Sequence, residues 1–182
     1  MYTKIFNQSR YLLLLCFFST STFFSCAQVA SPPKEQKATK EKQLSDSALL
    51  DLVQQQTIKY FTDGAEPVSG MARERLHVDD DYPENDKNII TSGGSGFGVM
   101  CLIVAMERKF ITRQEGVQRL EKIVHFLETA DRFHGAWPHW WNGETGKVKP
   151  FGKKDNGGDL VETSFMLQGL LCARQYLKDG ND

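Results

Sequence analysis

With 182 residues, a formal charge of −1, and 40% apolar and 25% charged side chains, the chain has the composition of a globular domain, not of a disordered or collagenous one. Near-neutral charge without a clustered basic face excludes a grip on a phosphate backbone, so nucleic acid is not an expected partner.

Residues 1–26 carry the pattern of an export signal. Lys4 and Arg10 form a basic start, residues 11–18 are an apolar run with four consecutive leucines, and Ser25-Cys26 follows. The run is shorter than the ~20 residues that span a bilayer and is interrupted at 19–22, which argues against a permanent transmembrane helix. Ser25-Cys26 resembles a loose bacterial lipobox, and Ser25-Cys26-Ala27 also fits a small-x-small cleavage site before Gln28. Lipidation of Cys26 is the favoured reading. Residues 27–44, rich in Lys, Glu, Pro, Ala and Ser, cannot bury enough apolar surface to fold and read as a flexible tether. The expected location is therefore that of an exported periplasmic or outer-membrane lipoprotein of a Gram-negative bacterium, held to the membrane by its lipid. Cys101 and Cys172 remain after processing; each sits in an apolar run with no Cys-x-x-Cys partner and reads as a small buried hydrophobe.

The remaining segment, 45–182, reads as all-α. A first helix is capped by Ser45 or Asp46, places Leu50, Val53, Thr57 and Phe61 on one face, and ends near Asp63-Gly64. Residues 67–88 carry Gly, Pro and many charges without periodicity and read as a long loop. A second helix is expected to start just after the glycine cluster at 93–98 and to run from Val99 to Arg108, apolar nearly all round and hence buried. The third opens at Thr112 with a Thr-x-x-Glu capping box ending at Glu115, and Val117, Leu120, Val124 and Leu127 form its stripe. An aromatic loop with Trp137, Trp140 and Trp141 follows, then a fourth apolar helix from about Leu160 to Tyr176. Strand signals are weak. Alternation of apolar and amphipathic helices suits an incomplete toroid of helical hairpins, about four helices in two hairpins preceded by a signal peptide and a flexible linker. Four helices cannot close such a ring, so truncation is expected.

Chemistry concentrates in two places. Asp155, Asp159 and Glu162 fall within eight residues, the last two three apart and so on one face of the fourth helix's first turn. They fit a glycoside-cleaving pair or sugar-holding acids. Asp159 as N-cap with Glu162 at the third position would equally form a capping box. Upstream, Trp137, His139, Trp140, Trp141 and Asn142 combine flat rings with imidazole and amide groups, a composition suited to a saccharide. No regular metal-ligand spacing is present, the acids at 79–81 lack the calcium-loop pattern, and the glycine cluster lacks a P-loop lysine; neither metal nor cofactor is expected.

Four ordered motifs, Ser69-Gly70-Met71-Ala72-Arg73-Glu74-Arg75, the cluster from Ser92 to Gly98, Phe133-His134-Gly135-Ala136-Trp137-Pro138-His139-Trp140, and Gly157-Gly158-Asp159-Leu160-Val161-Glu162-Thr163, resemble the bacterial glucoamylase-like domain family, which includes endo-β-1,2-glucanases. The resemblance implies an (α/α)6 toroid and inverting acid/base hydrolysis of a β-linked glucan, oligo- or polysaccharide. It also implies acidic site positions at Asp155, Asp159 and Glu162, an aromatic wall at Trp137, His139 and Trp140, and a rim at Arg73 and Glu74. Family members continue beyond the length of this chain, and further site carboxylates lie in that part. A non-catalytic glycan-binding lipoprotein is the alternative.

Overall fold

The computed structural model describes residues 44–178. The expected export signal, Cys26 and residues 27–43 of the tether lie outside the described residues, as do residues 179–182. Among the described residues the chain forms α1 (Asp46–Thr62), β1 (Ile89–Thr91), α2 (Ser92–Glu107), α3 (Arg113–Thr129), β2 (Trp140–Asn142), β3 (Val148–Lys149) and α4 (Leu160–Leu177). None of these helices is long and apolar enough to cross a membrane.

Three helix starts match their capping residues. The Ser45 hydroxyl accepts the Ala48 N–H at 3.3 Å, Thr112 accepts that of Glu115 at 3.1 Å, and Asp159 caps α4. The box at α3 is only half made, because the Glu115 carboxylate turns to Arg119 at 2.9 Å.

α2 differs from its sequence reading: it begins at Ser92, so the glycine cluster lies inside the helix. Each glycine in a helix costs about 1 kcal/mol against alanine, and here close packing outweighs that cost. A Cβ at Gly96 would come within 2.3 Å of the Phe165 carbonyl of α4, and one at Gly98 within 2.8 Å of the Phe61 ring of α1. α2 and α4 run parallel, since Gly93 meets Glu162 at one end and Glu107 meets Tyr176 at the other with the same sequence offset. α1 runs antiparallel to α2, pairing Asp51 with Arg108. α2 is thus the central rod, carrying buried Val99, Leu102, Ala105 and Met106.

The flanking helices are less covered than their patterns suggest. On α1 only Ile58 and Thr62 are buried, whereas Leu50 and Val53 of the expected stripe are 61% and 51% exposed. On α3 the buried line is Leu120, Ile123, Phe126 and Leu127, with Val124 outside it. α4 buries Thr163, Met166, Gly169 and Ala173 against α2 and leaves Leu160, Val161, Leu167 and Leu171 exposed, so it is interior on one side only. Cys101 and Cys172 are free and half-buried, not fully enclosed.

A small antiparallel sheet, ordered β1-β2-β3, replaces part of the expected aromatic loop. Ile90 pairs with Trp141 and Trp141 in turn with Val148. Strands of two or three residues are too short to show a period-two pattern, and β1 finds its partner some fifty residues downstream in the chain. The long segment before β1 is anchored by Glu66, whose buried carboxylate accepts the Ser69 N–H at 2.7 Å and hydroxyl at 2.6 Å. The Tyr60 hydroxyl donates to the Arg73 carbonyl at 2.6 Å.

Candidate functional site

The N-terminal turns of α2 and α4 lie side by side, and the candidate residues gather there. Asp159 uses both carboxylate oxygens: Oδ1 accepts the N–H groups of Val161 at 2.9 Å and Glu162 at 3.0 Å, while Oδ2 faces Nδ1 of His139 at 3.0 Å. Burial works to raise its pKa, but the Glu162 N–H, His139 and the Val161 N–H together outweigh it and leave the carboxyl below its ordinary range. Asp159 is therefore held in its ionised form at neutral pH, with His139 beside it.

Asp155 completes the cluster. His139, Asp155 and Asp159 each bring one ligand-type atom within 4.8 Å of the others, all three half-buried. Such a trio could hold a cation through one nitrogen and two oxygens, although His139 Nδ1 is already engaged by Asp159. The Asp155 backbone closes a tight turn with Gly152, leaving its carboxylate the least engaged acid of the three candidates.

Glu162 points elsewhere. Its Oε2 accepts the Gly93 N–H of α2 at 2.8 Å and the Thr91 hydroxyl at 3.3 Å. The capping box read from its spacing is not closed, since the Asp159 N–H is taken by the Trp137 carbonyl at 2.7 Å.

Beside the acids is an aromatic shelf. The Phe151 ring lies 4.4 Å from His139, tilted 32°, and 4.8 Å from Trp140, with half of Phe151 exposed. Phe151 was not singled out by the sequence; its signal was a lone aromatic in a Gly/Lys/Pro connection immediately before Asp155. Adjacent strand residues point to opposite faces, which separates Trp140 from Trp141. Trp140 joins the shelf. Trp141 is fully buried, edge-on to Phe126 at 5.8 Å, and its indole N–H donates to the Asp131 carbonyl at 3.0 Å. Trp137 is half-buried, its backbone clasped by the Thr163 hydroxyl at 2.9 Å and its indole nitrogen buried with no protein acceptor.

Arg73 and Glu74 serve the loop between α1 and β1. Arg73 is 7% exposed and donates to the carbonyls of Lys87 at 2.7 Å, Gly64 at 2.7 Å and Ala65 at 2.8 Å. Glu74 is paired with Arg75, whose guanidinium also lies 3.6 Å from Asp86. The structure thus brings His139, Trp140, Asp155 and Asp159 together, turns Trp141 into the core, and ties Arg73 to backbone.

The chain is similar to solved and curated proteins. An endo-β-1,2-glucanase of Chitinophaga pinensis, solved with sophorotriose and glucose, is 70% identical, with a TM-score of 0.75 over 77% of this chain and 34% of its own. A Bacteroides caccae structure assigned as a glucoamylase is 64% identical, with a TM-score of 0.74 over 76% of this chain and 33% of its own. Over about three-quarters of its length the chain is homologous to proteins named as glucoamylases and β-1,2-glucanases, at 51–70% identity. It is also 54% identical over 140 residues to an exo-β-1,2-glucooligosaccharide sophorohydrolase (non-reducing end) of Parabacteroides distasonis, matching 76% of this chain and 18% of that protein. The chain thus spans about a third of the solved relatives' length and less of the curated one. No family model matches it.

Proposed function

We propose that this chain forms one wall of a β-1,2-glucan site in an exported glycoside hydrolase, its four helices being part of an (α/α)6 toroid. The observation that carries this reading is the His139-Asp155-Asp159 cluster beside the open Trp140-Phe151 shelf, in a chain 70% identical to a glucanase solved with sophorotriose. The rings offer flat faces to the C–H surfaces of glucose, and the acids and imidazole face its hydroxyls.

Of the acids, Asp155 has the carboxylate left open to bond a sugar hydroxyl, while Asp159 holds His139. Inverting hydrolysis needs two carboxyl groups ~6.5–9.5 Å apart on opposite sides of the bond. Asp155 and Asp159 reach within 4.8 Å of each other and cannot be that pair. The opposing carboxyl has to come from outside this cluster. That same one-sidedness favours a second reading, a glycan-binding lipoprotein that does not cleave.

Two measurements separate these readings. Calorimetric titration of the purified chain with sophorotriose and with a β-1,4-linked trisaccharide should show preference for sophorotriose; equal or absent binding of both would overturn the substrate assignment. Reducing-sugar release from β-1,2-glucan, abolished in Asp155→Asn, supports the hydrolase, and binding without release supports the binding protein. Export and lipidation at Cys26, with residues 27–44 as tether, are part of the same proposal and rest on the pattern of residues 1–26. Fatty-acid labelling of the membrane fraction that disappears in Cys26→Ser would support the anchor, and labelling unchanged in that variant would reject it.

A further inference from the structure

We propose that Glu162 is a positioning residue: a cap supplied by α4 to the N-terminus of α2, which fixes the peptide that presents His139. This rests on the saccharide-site reading for its functional consequence, but the geometry stands without it.

Four observations converge. The N-terminus of α2 has no cap of its own, because Thr91 at the N-cap position makes no side-chain bond to the helix. The Thr91 hydroxyl instead donates to Glu162 at 3.3 Å, and the same oxygen accepts the Gly93 N–H at 2.8 Å. An anionic carboxylate at this end of α2 meets unpaired N–H groups and the positive end of the helix dipole. Gly93 is shaped to this contact, since a Cβ there would sit 2.4 Å from Oε2 of Glu162.

The next residue along α2 carries the effect to the site. The Ser92 hydroxyl donates to the Pro138 carbonyl at 2.6 Å, and the Ser92 N–H to the His139 carbonyl at 3.2 Å. The His139 ring is set from the other side by Asp159, the cap of α4. One helix turn of α4 therefore holds His139 twice, through its ring by Asp159 and through its backbone by Glu162, Gly93 and Ser92. Two acids three residues apart thus serve two different helices, Asp159 capping α4 and Glu162 capping α2.

Amide hydrogen exchange and sophorotriose titration on Glu162→Gln and Glu162→Ala test the assignment, both well below the unfolding temperature. Glutamine keeps an acceptor oxygen, so Glu162→Gln should hold Gly93 exchange within about threefold of the parent, whereas Glu162→Ala should speed it at least tenfold, about the scale of a lost local hydrogen bond. Sophorotriose affinity should fall in the folded alanine variant and be largely restored by glutamine. Loss of binding in Glu162→Gln with Gly93 still protected would overturn the proposal, because the charge would then act on the sugar. Unchanged Gly93 exchange in Glu162→Ala would overturn it as well. If no protein, parent included, binds sophorotriose, the exchange arm still decides the capping role, and only the saccharide reading fails.

Discussion

Trp140 and Trp141 are neighbours in sequence and opposites in environment, and substitution should separate them. Trp141→Ala removes a fully buried ring and its bond to the Asp131 carbonyl, and should cost about 3–5 kcal/mol in denaturant unfolding. Trp140→Ala should leave unfolding nearly unchanged and weaken sophorotriose binding, read by titration. Asp159 is a second residue whose surroundings define its role. Its pKa is lowered on folding below the ordinary 3.8, so its ionised form stabilises the fold above about pH 4, and that contribution is lost as pH falls through the folded value. Thermal unfolding of the parent beside Asp159→Asn should therefore show a gap at pH 7 that closes as the pH falls below the ordinary carboxyl range. These environments were only partly legible in advance. The residue types and their order suit the proposed saccharide site, while the face each ring would take depended on a strand too short to see.

At the scale of elements, the capped helices were the most readable, because a cap is written in three or four adjacent residues. Ser45, Thr112 and Asp159 marked starts that the structure keeps. α2 was misread at its start because glycine opposes helix in local propensity, and only the approach of α4 makes it favourable. The contact is mutual: a Cβ at Gly169 would lie 2.3 Å from the Gly96 carbonyl, as one at Gly96 would from Phe165. Gly96→Ala and Gly169→Ala should each destabilise by about 1–3 kcal/mol or more through overpacking, despite alanine's better helix propensity. Gly152→Ala, where an added Cβ meets nothing within 4 Å, should change stability by less than about 0.5 kcal/mol. Denaturant midpoints of the three variants provide the comparison.

For the whole molecule, the salient feature is apolar surface left open on α1 and α4. Leu167 and Leu171 are 47% and 59% exposed, alongside Leu160 and Val161 on the same helix. Contiguous apolar faces of this kind favour association. The purified chain is expected to self-associate at tens of micromolar, and Leu167→Lys with Leu171→Lys should reduce its apparent mass in sedimentation with little change in unfolding temperature, by roughly 2 °C at most. A compensating loss of several degrees would show that these leucines are covered.

What the sequence determined by itself was everything encoded within a few residues: the helical class, three of the helix starts, and the chemical character of the His139 to Glu162 region. It also carried the resemblance to glucoamylase-like proteins, which the comparisons support over about three-quarters of the chain. Tertiary structure decided what depends on distant partners. It drew the glycine cluster into α2, paired β1 with β2, sent Trp141 inward and Trp140 outward, and gave Glu162 to a neighbouring helix. The physical reason is common to all four: local pattern sets which conformations are accessible to a segment, and the contacts made across fifty to seventy residues choose among them.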